Sequence, residues 1–468
     1  MLDPDCHSSL LRLLGADRFL VSAADCLAYG YDNSRRLTAP DAVAFPSSTA
    51  EVQAILEICN RYQVPVTPRG RGTGTAGGSV PERGGLVLSL ERMRRILSID
   101  PANRLMVVEP GVLNQEVQEA ARPHGFFWPP DPSSAAYCSV GGNLATCAGG
   151  PHAVKYGVTR DHVLALAAVT GKGEIIHTGT YTTKGVVGYD LTRLLIGSEG
   201  TLAVITEAVL KLTPLPEAAA GVTAHYRDLV ACTHAITRIM AQPRLPAALE
   251  FLDAGALDLI RAHYPGLVPE ESRAMLMIEV DGSASEIATS QAAILAACAD
   301  PALIVAEPLP DTGTLWAARK ALSPLLRDIA PKKINEDVAV PVSHLPEFLT
   351  GVAELARQYR VANVNFGHAG NGNIHVNLLV HPEDEEEMQR AQACLTRIFD
   401  LVIRLRGTLS GEHGVGREKR PFVGREIDPV TLRLMQEIKG VFDPNGILNP
   451  GKLFPTEEEL KAWGRAPA

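Results

Sequence analysis

Two histidines and one glutamate, each set among glycines, are the side chains of this sequence best suited to hold a catalytic metal. They lie in Phe366-Gly367-His368-Ala369-Gly370-Asn371-Gly372-Asn373-Ile374-His375-Val376-Asn377 and in Leu409-Ser410-Gly411-Glu412-His413-Gly414-Val415-Gly416. Glycines on both sides of His368 predict a loop. Alternation from Ile374 to Leu378 predicts a strand with His375 and Asn377 on one face. His368, His375 and Glu412 would supply three ligands and leave a position for water or substrate, as a catalytic metal requires. The competing reading is a pair of satisfied histidines, one in a loop and one in a core, because the spacing is not that of a helical His-x-x-x-His. Spacing alone leaves both open.

A second chemistry is written in glycine. Pro68-Arg69-Gly70-Arg71-Gly72-Thr73-Gly74-Thr75-Ala76-Gly77-Gly78 holds five glycines in eleven residues. Such a stretch exposes successive backbone N–H groups to one anion, and Arg69, Arg71 and the threonines add charge and hydroxyls. A dinucleotide pyrophosphate suits that inventory. Gly72, Gly74 and Gly77 fit Gly-x-Gly-x-x-Gly, but Ser79-Val80-Pro81-Glu82-Arg83-Gly84-Gly85 follows instead of a helix, so the Rossmann reading falls. A Walker loop lacks its terminal Gly-Lys-Ser/Thr. A second glycine-rich region, Asp131 to Gly157, contains Ser139-Val140-Gly141-Gly142-Asn143-Leu144-Ala145-Thr146, Gly149 and Gly150. A third is Gly197-Ser198-Glu199-Gly200-Thr201. Two such regions more than sixty residues apart can grip one extended ligand.

The elements that must position these groups follow from periodicity. Helical spacing runs through residues 7–30. Val43 to Phe45 is a strand, Ser48 or Thr49 caps a helix carrying Val52, Ile55, Leu56 and Cys59, and Val64 to Val66 leads into the first glycine loop. Gly85 to Leu90 and Leu105 to Glu109 are expected as strands of one sheet, and Val112 to Ala121 as a helix. After Pro214 and Pro216 the pattern changes to alternating strands and longer helices, which suggests an antiparallel sheet with helices on one face. Glu383 to Glu387 opens a helix carrying Met388, Ala391, Cys394 and Ile398. The turn-rich Phe442 to Lys452 is expected to fold back onto the first domain.

Bulk composition narrows the classes. A chain of 468 residues, 46% hydrophobic and 21% charged, is expected to form two or three globular domains without extended disorder. A formal charge of −9 and the lack of a basic patch argue against nucleic acid. Eight scattered cysteines without a Cys-x-x-Cys pair exclude the usual iron–sulfur and zinc-ribbon spacings and suit a reducing, cytoplasmic setting. No signal peptide or membrane span is expected.

With the glycine regions, Gly197 to Thr201 and Asn449-Pro450-Gly451-Lys452, the sequence resembles the FAD-linked oxidases of the vanillyl-alcohol-oxidase type, over nearly its whole length. Within them it is similar to the branch of D-lactate dehydrogenases, the glycolate oxidase flavin subunit and D-2-hydroxyglutarate dehydrogenases. The resemblance implies an α+β protein. A two-part FAD-binding domain (1–215) would be followed by an α+β cap carrying the substrate and metal site (216–425), and a C-terminal segment (426–468) would return to the FAD domain.

By motif, Arg69, Gly70, Arg71, Gly72, Thr73, Gly74, Thr75, Gly77 and Gly78 would form the pyrophosphate loop. Ser139, Gly141, Gly142, Asn143, Thr146, Gly149, Gly150 and Asp161 would line the flavin, Gly200 and Ile205 would hold the adenine side, and Asn449 would return to the cofactor. The first loop has no histidine, so FAD is expected to be non-covalent, with Cys147 a small buried residue. The family pattern puts a divalent metal, zinc before manganese or iron, on His368, His375 and Glu412, with Asn377 and His413 facing substrate. A 2-hydroxy acid needs a carboxylate anchor, and Arg319 with Ser323 matches the family's Arg-x-x-x-Thr/Ser pair. Without the resemblance, Arg319 reads as a helix-surface arginine. Relatives near D-2-hydroxyglutarate dehydrogenase carry lysine where this chain has Asn335, two residues before Asp337, with Lys332 and Lys333 slightly earlier.

The implied reaction is hydride transfer from a D-2-hydroxy acid to flavin. Reoxidation would pass to an electron-transfer flavoprotein, a quinone, a cytochrome or an iron–sulfur subunit, and a homodimer is left open. The alternatives are a related enzyme of non-carboxylate alcohols, a metallohydrolase using the His/His/Glu set, and a non-catalytic FAD-binding subunit.

Overall fold

Asp3 starts the first helix, Pro4–Leu14, by accepting from the N–H groups of Asp5 and Cys6, and Gly15 at φ 74° ends it. The expected helical run to residue 30 therefore breaks early, into a 3-10 turn, the two-residue strand Phe19–Leu20 and the short helix Ala23–Leu27. The computed structural model describes residues 2–309 and 313–462, and the architecture given is that of these described residues.

The chain divides into two compact units. One joins Met1–Gly149, Gly157–Leu215 and Glu412–Ala468, and the other joins Gly150–Tyr156 and Pro216–Gly411. This differs from the expected second boundary at 425/426, because residues 412–425 are tied to the first unit. The Glu199 carboxylate accepts from Val415 N and Gly416 N, both at 2.7 Å, and Arg417 N donates to Ala76 O at 2.8 Å.

The first unit carries two larger sheets. Strands Phe19–Leu20, Ala42–Ala44, Leu86–Ser89 and Val66–Arg69 form the four-stranded sheet in that order, with its last two pairings parallel. Helix Thr49–Arg61 covers it. Ser48 accepts from Glu51 N at 3.2 Å as its N-cap, and Val52, Ile55, Leu56 and Cys59 are its buried residues. Strands Ile96–Asp100, Leu105–Val108, Ala203–Lys211, Val163–Thr170 and Ile175–Gly179 form an antiparallel five-stranded sheet. Leu86–Ser89 and Leu105–Val108 thus belong to different sheets, not to one as expected. Pairing partners come from chain distant in sequence, and strand composition does not reveal them. Residues near the C-terminus return to the first sheet: Val66 N donates to Ile447 O at 2.8 Å and Asn449 N to Val66 O at 2.7 Å.

The second unit is built on a seven-stranded antiparallel sheet. Its order is Leu303–Leu309, Ala218–Tyr226, Ala274–Gly282, Ala248–Asp253, Ala362–His368, Asn373–Val380 and Lys332–Ala339. Helices cover both faces, not one. Ala254–His263 and Gly313–Leu325 pack with Leu252, Met275, Met277, Val364 and Phe366. Tyr226, whose cross-strand partner Ala274 precedes Met275, points the opposite way and donates to Cys298 O of helix Ala284–Cys298.

Candidate functional site

In the first unit, loops leave the ends of strands and meet through glycine. Strand Val66–Arg69 runs into Gly70, where a Cβ would sit 2.5 Å from Ser139 Oγ and 3.6 Å from Gly142 N. Ser139 is the N-cap of helix Val140–Thr146 and accepts from Gly142 N at 3.3 Å, so the first glycine loop lies against the start of the second. Gly416, at φ 50°, would bring a Cβ within 2.1 Å of Ala76 O, and a Cβ on Gly200 would lie 3.1 Å from Pro68. Asn449 donates to Gly78 O at 3.0 Å and to Glu199 O at 2.7 Å. Its Oδ1 is buried without a hydrogen-bond partner. Segments 68–78, 139–149, 197–201, 412–418 and 449–452 therefore converge.

Individual residues fall differently from expectation. Arg69 is turned beneath its own loop, donating to Tyr31 O at 2.7 Å and Ser79 Oγ at 3.3 Å, and is only 8% exposed. Gly72 makes room for it, since a Cβ there would lie 2.2 Å from Arg69 Nη2. Arg71 sits 3.9 Å from Glu91. Gly74 has open space around it, whereas Gly141 packs on Pro110. Thr146 Oγ1 donates to Gly142 O, and Asn143 and Cys147 are buried. Asp161 is exposed and accepts from Val158 N at 3.0 Å to close a turn, while Ile205 belongs to the apolar core. Gly150 opens the short stretch that belongs to the second unit. Glu412 faces Gly149, where a Cβ would lie 2.8 Å from its Oε2. His413 follows it, partly buried.

On the second unit, strand register gathers a polar band on one face of the sheet. Glu250 pairs with His368, Phe366 with His375, His375 with Asp337, and Asn377 with both Asn335 and Val364. Cross-strand partners share a face, so these groups point the same way, toward helix Gly313–Leu325. His368 closes strand Ala362–His368 and is not in a loop; ladder pairing with Glu250 extends the strand past Gly367. The rings of His368 and His375 are 5.2 Å apart and nearly perpendicular.

Glu250, fully buried, holds both neighbours. Its Oε2 accepts from Arg319 Nε at 2.8 Å and lies 2.7 Å from Nη2, and its Oε1 is 2.5 Å from His368 Nδ1. Burial alone would push this carboxyl's pKa up, yet His368 and Arg319 beside it bring it down to about 2. Arg319 is buried, not a surface residue, with its guanidinium 4.5 Å over the Phe366 ring. His375 Nδ1 lies 3.9 Å from Asp337 Oδ1, and Asp337 also accepts from Asn373 Nδ2 at 2.6 Å. Asn377 donates to Val364 O and His375 O, which turns its Oδ1 inward, buried and without a partner. Ser323, exposed, accepts from Lys333 Nζ at 2.6 Å. Glu279 accepts from Trp316 Nε1 and contacts His152 Nε2, both at 3.1 Å.

Glu250, Glu199 and Glu279 were not among the site residues expected from sequence. A signal existed for the first: Ala248-Leu249-Glu250-Phe251-Leu252 puts one carboxylate inside an otherwise apolar strand.

The donor sets suit two groups. A glycine-lined cradle with an unpartnered amide oxygen on Asn449 fits a polar nucleotide cofactor. A histidine whose Nδ1 is held by a carboxylate has its Nε2 directed away, the arrangement that second-sphere carboxylates impose on metal-ligating histidines.

Known proteins match most of the chain. Residues 215–453 match the family "FAD linked oxidases, C-terminal domain", and residues 40–179 match "FAD binding domain". Over 458 residues the chain is 38% identical to the glycolate oxidase subunit GlcD of Bacillus subtilis (strain 168), covering 97% of each. It is 36% identical to the D-lactate dehydrogenase of Anaerostipes hadrus, over 88% of this chain and 89% of that one. Among solved structures, 4-ethylphenol oxidase from Gulosibacter chungangensis superposes with a TM-score of 0.78 at 20% identity, covering 97% of this chain and 98% of that one, which is a likeness of fold.

Proposed function

The chain belongs to the FAD-linked oxidases of the vanillyl-alcohol-oxidase type, and from that membership we propose that it oxidises a D-2-hydroxy acid of the lactate, glycolate or 2-hydroxyglutarate class to the 2-oxo acid. The observation carrying this reading is the Glu250 cluster, a buried guanidinium and an imidazole oriented by one carboxylate. An arginine kept in a dry site with donors to spare suits a substrate carboxylate.

Bound FAD would supply the acceptor for the Cα hydride. A divalent ion, zinc before manganese or iron, would be held by His368, His375 and Glu412 and would make the α-hydroxyl more acidic. The chain's own residues do the rest. Arg319 meets the substrate carboxylate, with Ser323 one helical turn further on. Asn377 faces the substrate, and His413 takes the hydroxyl proton. Lys333, donating to Ser323, supplies a positive charge near the place where Asn335 replaces the family's lysine.

For its electron acceptor we propose an electron-transfer flavoprotein, a quinone, a cytochrome or an iron–sulfur subunit; the subunit name of the Bacillus relative supports a complex. No helix among the described residues is long and apolar enough to cross a membrane. We place the protein in the cytoplasm, which its eight free cysteines suit.

The decisive experiment is anaerobic flavin bleaching with 2-hydroxy acids of both hands, for the parent and for His413→Ala. The parent should bleach with the D-acid, and the variant should lose bleaching by a factor of about 10²–10⁴ while keeping its flavin. Full retention of reduction removes His413 from the mechanism, and bleaching by no 2-hydroxy acid removes the substrate class.

A further inference from the structure

We infer that Glu250 is a positioning residue for both ends of the site, its one carboxylate orienting the Arg319 guanidinium and fixing the proton of His368 on Nδ1. The inference rests on the proposed reading of Arg319 as carboxylate anchor and His368 as metal ligand. It goes further in assigning to one residue the geometry of both.

Glu250 is 0% exposed on strand Ala248–Asp253, among Leu249, Phe251 and Leu252. A carboxylate in such a place is costly unless both oxygens are matched, and here both are. Arg319 gives Nε and Nη2 to the same oxygen, Oε2. Only part of its five-donor fork is used, and the Nη1 end remains to meet a second carboxylate. Phe366 beneath the guanidinium plane removes the remaining freedom to tilt.

The other oxygen decides the chemistry of His368. An ionised carboxylate can only accept, so the proton between Oε1 and the ring belongs to Nδ1, and in the neutral ring Nε2 then keeps the lone pair. That tautomer is the one able to ligate a metal through Nε2. Glutamine at this position would have the same shape and the opposite effect. Arginine has no acceptor, so Arg319 would claim the amide oxygen. The amide N–H would then face His368 Nδ1, which would have to accept, moving the ring proton to Nε2. A substitution of nearly constant volume would thus weaken ligation while leaving the anchor oriented.

The test uses the flavin-loaded, full-length protein labelled with ¹⁵N-histidine, the His368 signals being assigned by their absence in His368→Gln. Long-range ¹H–¹⁵N spectra of the parent should show His368 protonated at Nδ1 and bare at Nε2. In Glu250→Gln the pattern should reverse, and titration with zinc alone, against a competing chelator, should show affinity weaker by about 10–100-fold. Arg319→Met should leave the tautomer unchanged, since Oε1 keeps its partner. A parent with the proton on Nε2 overturns the inference, as does a Glu250→Gln protein with unchanged tautomer and zinc affinity. If Glu250→Gln does not fold, the parent spectrum alone still decides. If the parent binds no zinc but shows the Nδ1 proton, the metal reading fails and the positioning role stands.

Discussion

In the first unit the groups that converge are mostly backbone, whereas on the second unit's sheet they are side chains set by strand register. Around the first glycine loop, Gly70 lies on Ser139, Gly416 on Ala76 and Gly200 on Pro68, each contact too close for a Cβ to enter freely. On the sheet, Glu250, His368, His375, Asp337 and Asn377 occupy cross-strand positions and touch through carboxylates, rings and amides. The difference teaches how each fails. A glycine cradle is broken by adding a methyl group, and a polar band by removing or inverting one charge.

The largest effect in the first unit is expected at Gly416. Its φ of 50° costs an L-residue about 1–2 kcal/mol. The added Cβ would also lie 2.1 Å from the Ala76 carbonyl, which is backbone and cannot swing aside. Gly416→Ala should lower the thermal midpoint and release flavin, read as a fall in visible absorbance relative to protein. The sheet face of the other unit should be unaffected. Retention of flavin with an unchanged midpoint would mean that the cradle tolerates side chains, and the contrast would collapse.

Gly74 sharpens the contrast because it sits in the same loop with nothing within 4 Å of an added methyl group and no positive φ. Gly74→Ala should leave folding stability unchanged or raise it by up to about 1 kcal/mol through the unfolded state. Flavin affinity should nevertheless fall, because the space around Gly74 is then reserved for a ligand. Chemical denaturation of the flavin-free protein and flavin titration separate the two effects, and equal flavin affinity would show that this part of the loop faces only solvent.

The same contrast explains how much could be read from sequence. Glycine advertises its use through its identity, so the three loops and the returning Asn449 were legible, as was the strand that puts His375 and Asn377 on one face. Arg69 was not: its charge suggested an outward grip on an anion, yet Gly72 leaves a space into which the guanidinium folds. Glu250 and His368 are 118 residues apart and meet only because two strands pair in one register. Local pattern gives which residues share a strand face but not which strands are neighbours. For that reason Leu86–Ser89 and Leu105–Val108 looked like one sheet, and helices on both faces of the large sheet went unseen.

The smallest effect concerns Glu199, where two backbone N–H groups of the first unit, those of Val415 and Gly416, already meet a carboxylate. Burial pushes its pKa above the ordinary 4.5, with the N–H groups of Val415 and Gly416 and the charges of Lys419 and Lys452 holding the rise back. A pKa raised by folding contributes stability that is fully present below 4.5 and is lost as pH rises through the folded value. Glu199→Gln has no charge to lose. The parent should therefore gain stability relative to the variant as pH falls through that window, and the difference should level off on either side. Urea unfolding of both proteins at equal flavin loading, across a pH series, isolates the slope because other carboxylates cancel in the difference. A slope of opposite sign would mean that the N–H pair and the lysines outweigh burial and favour the anion. The cradle would then be an anion-binding surface even where it binds its own chain, and the line between backbone and side-chain recognition would run through Glu199 instead of between the units.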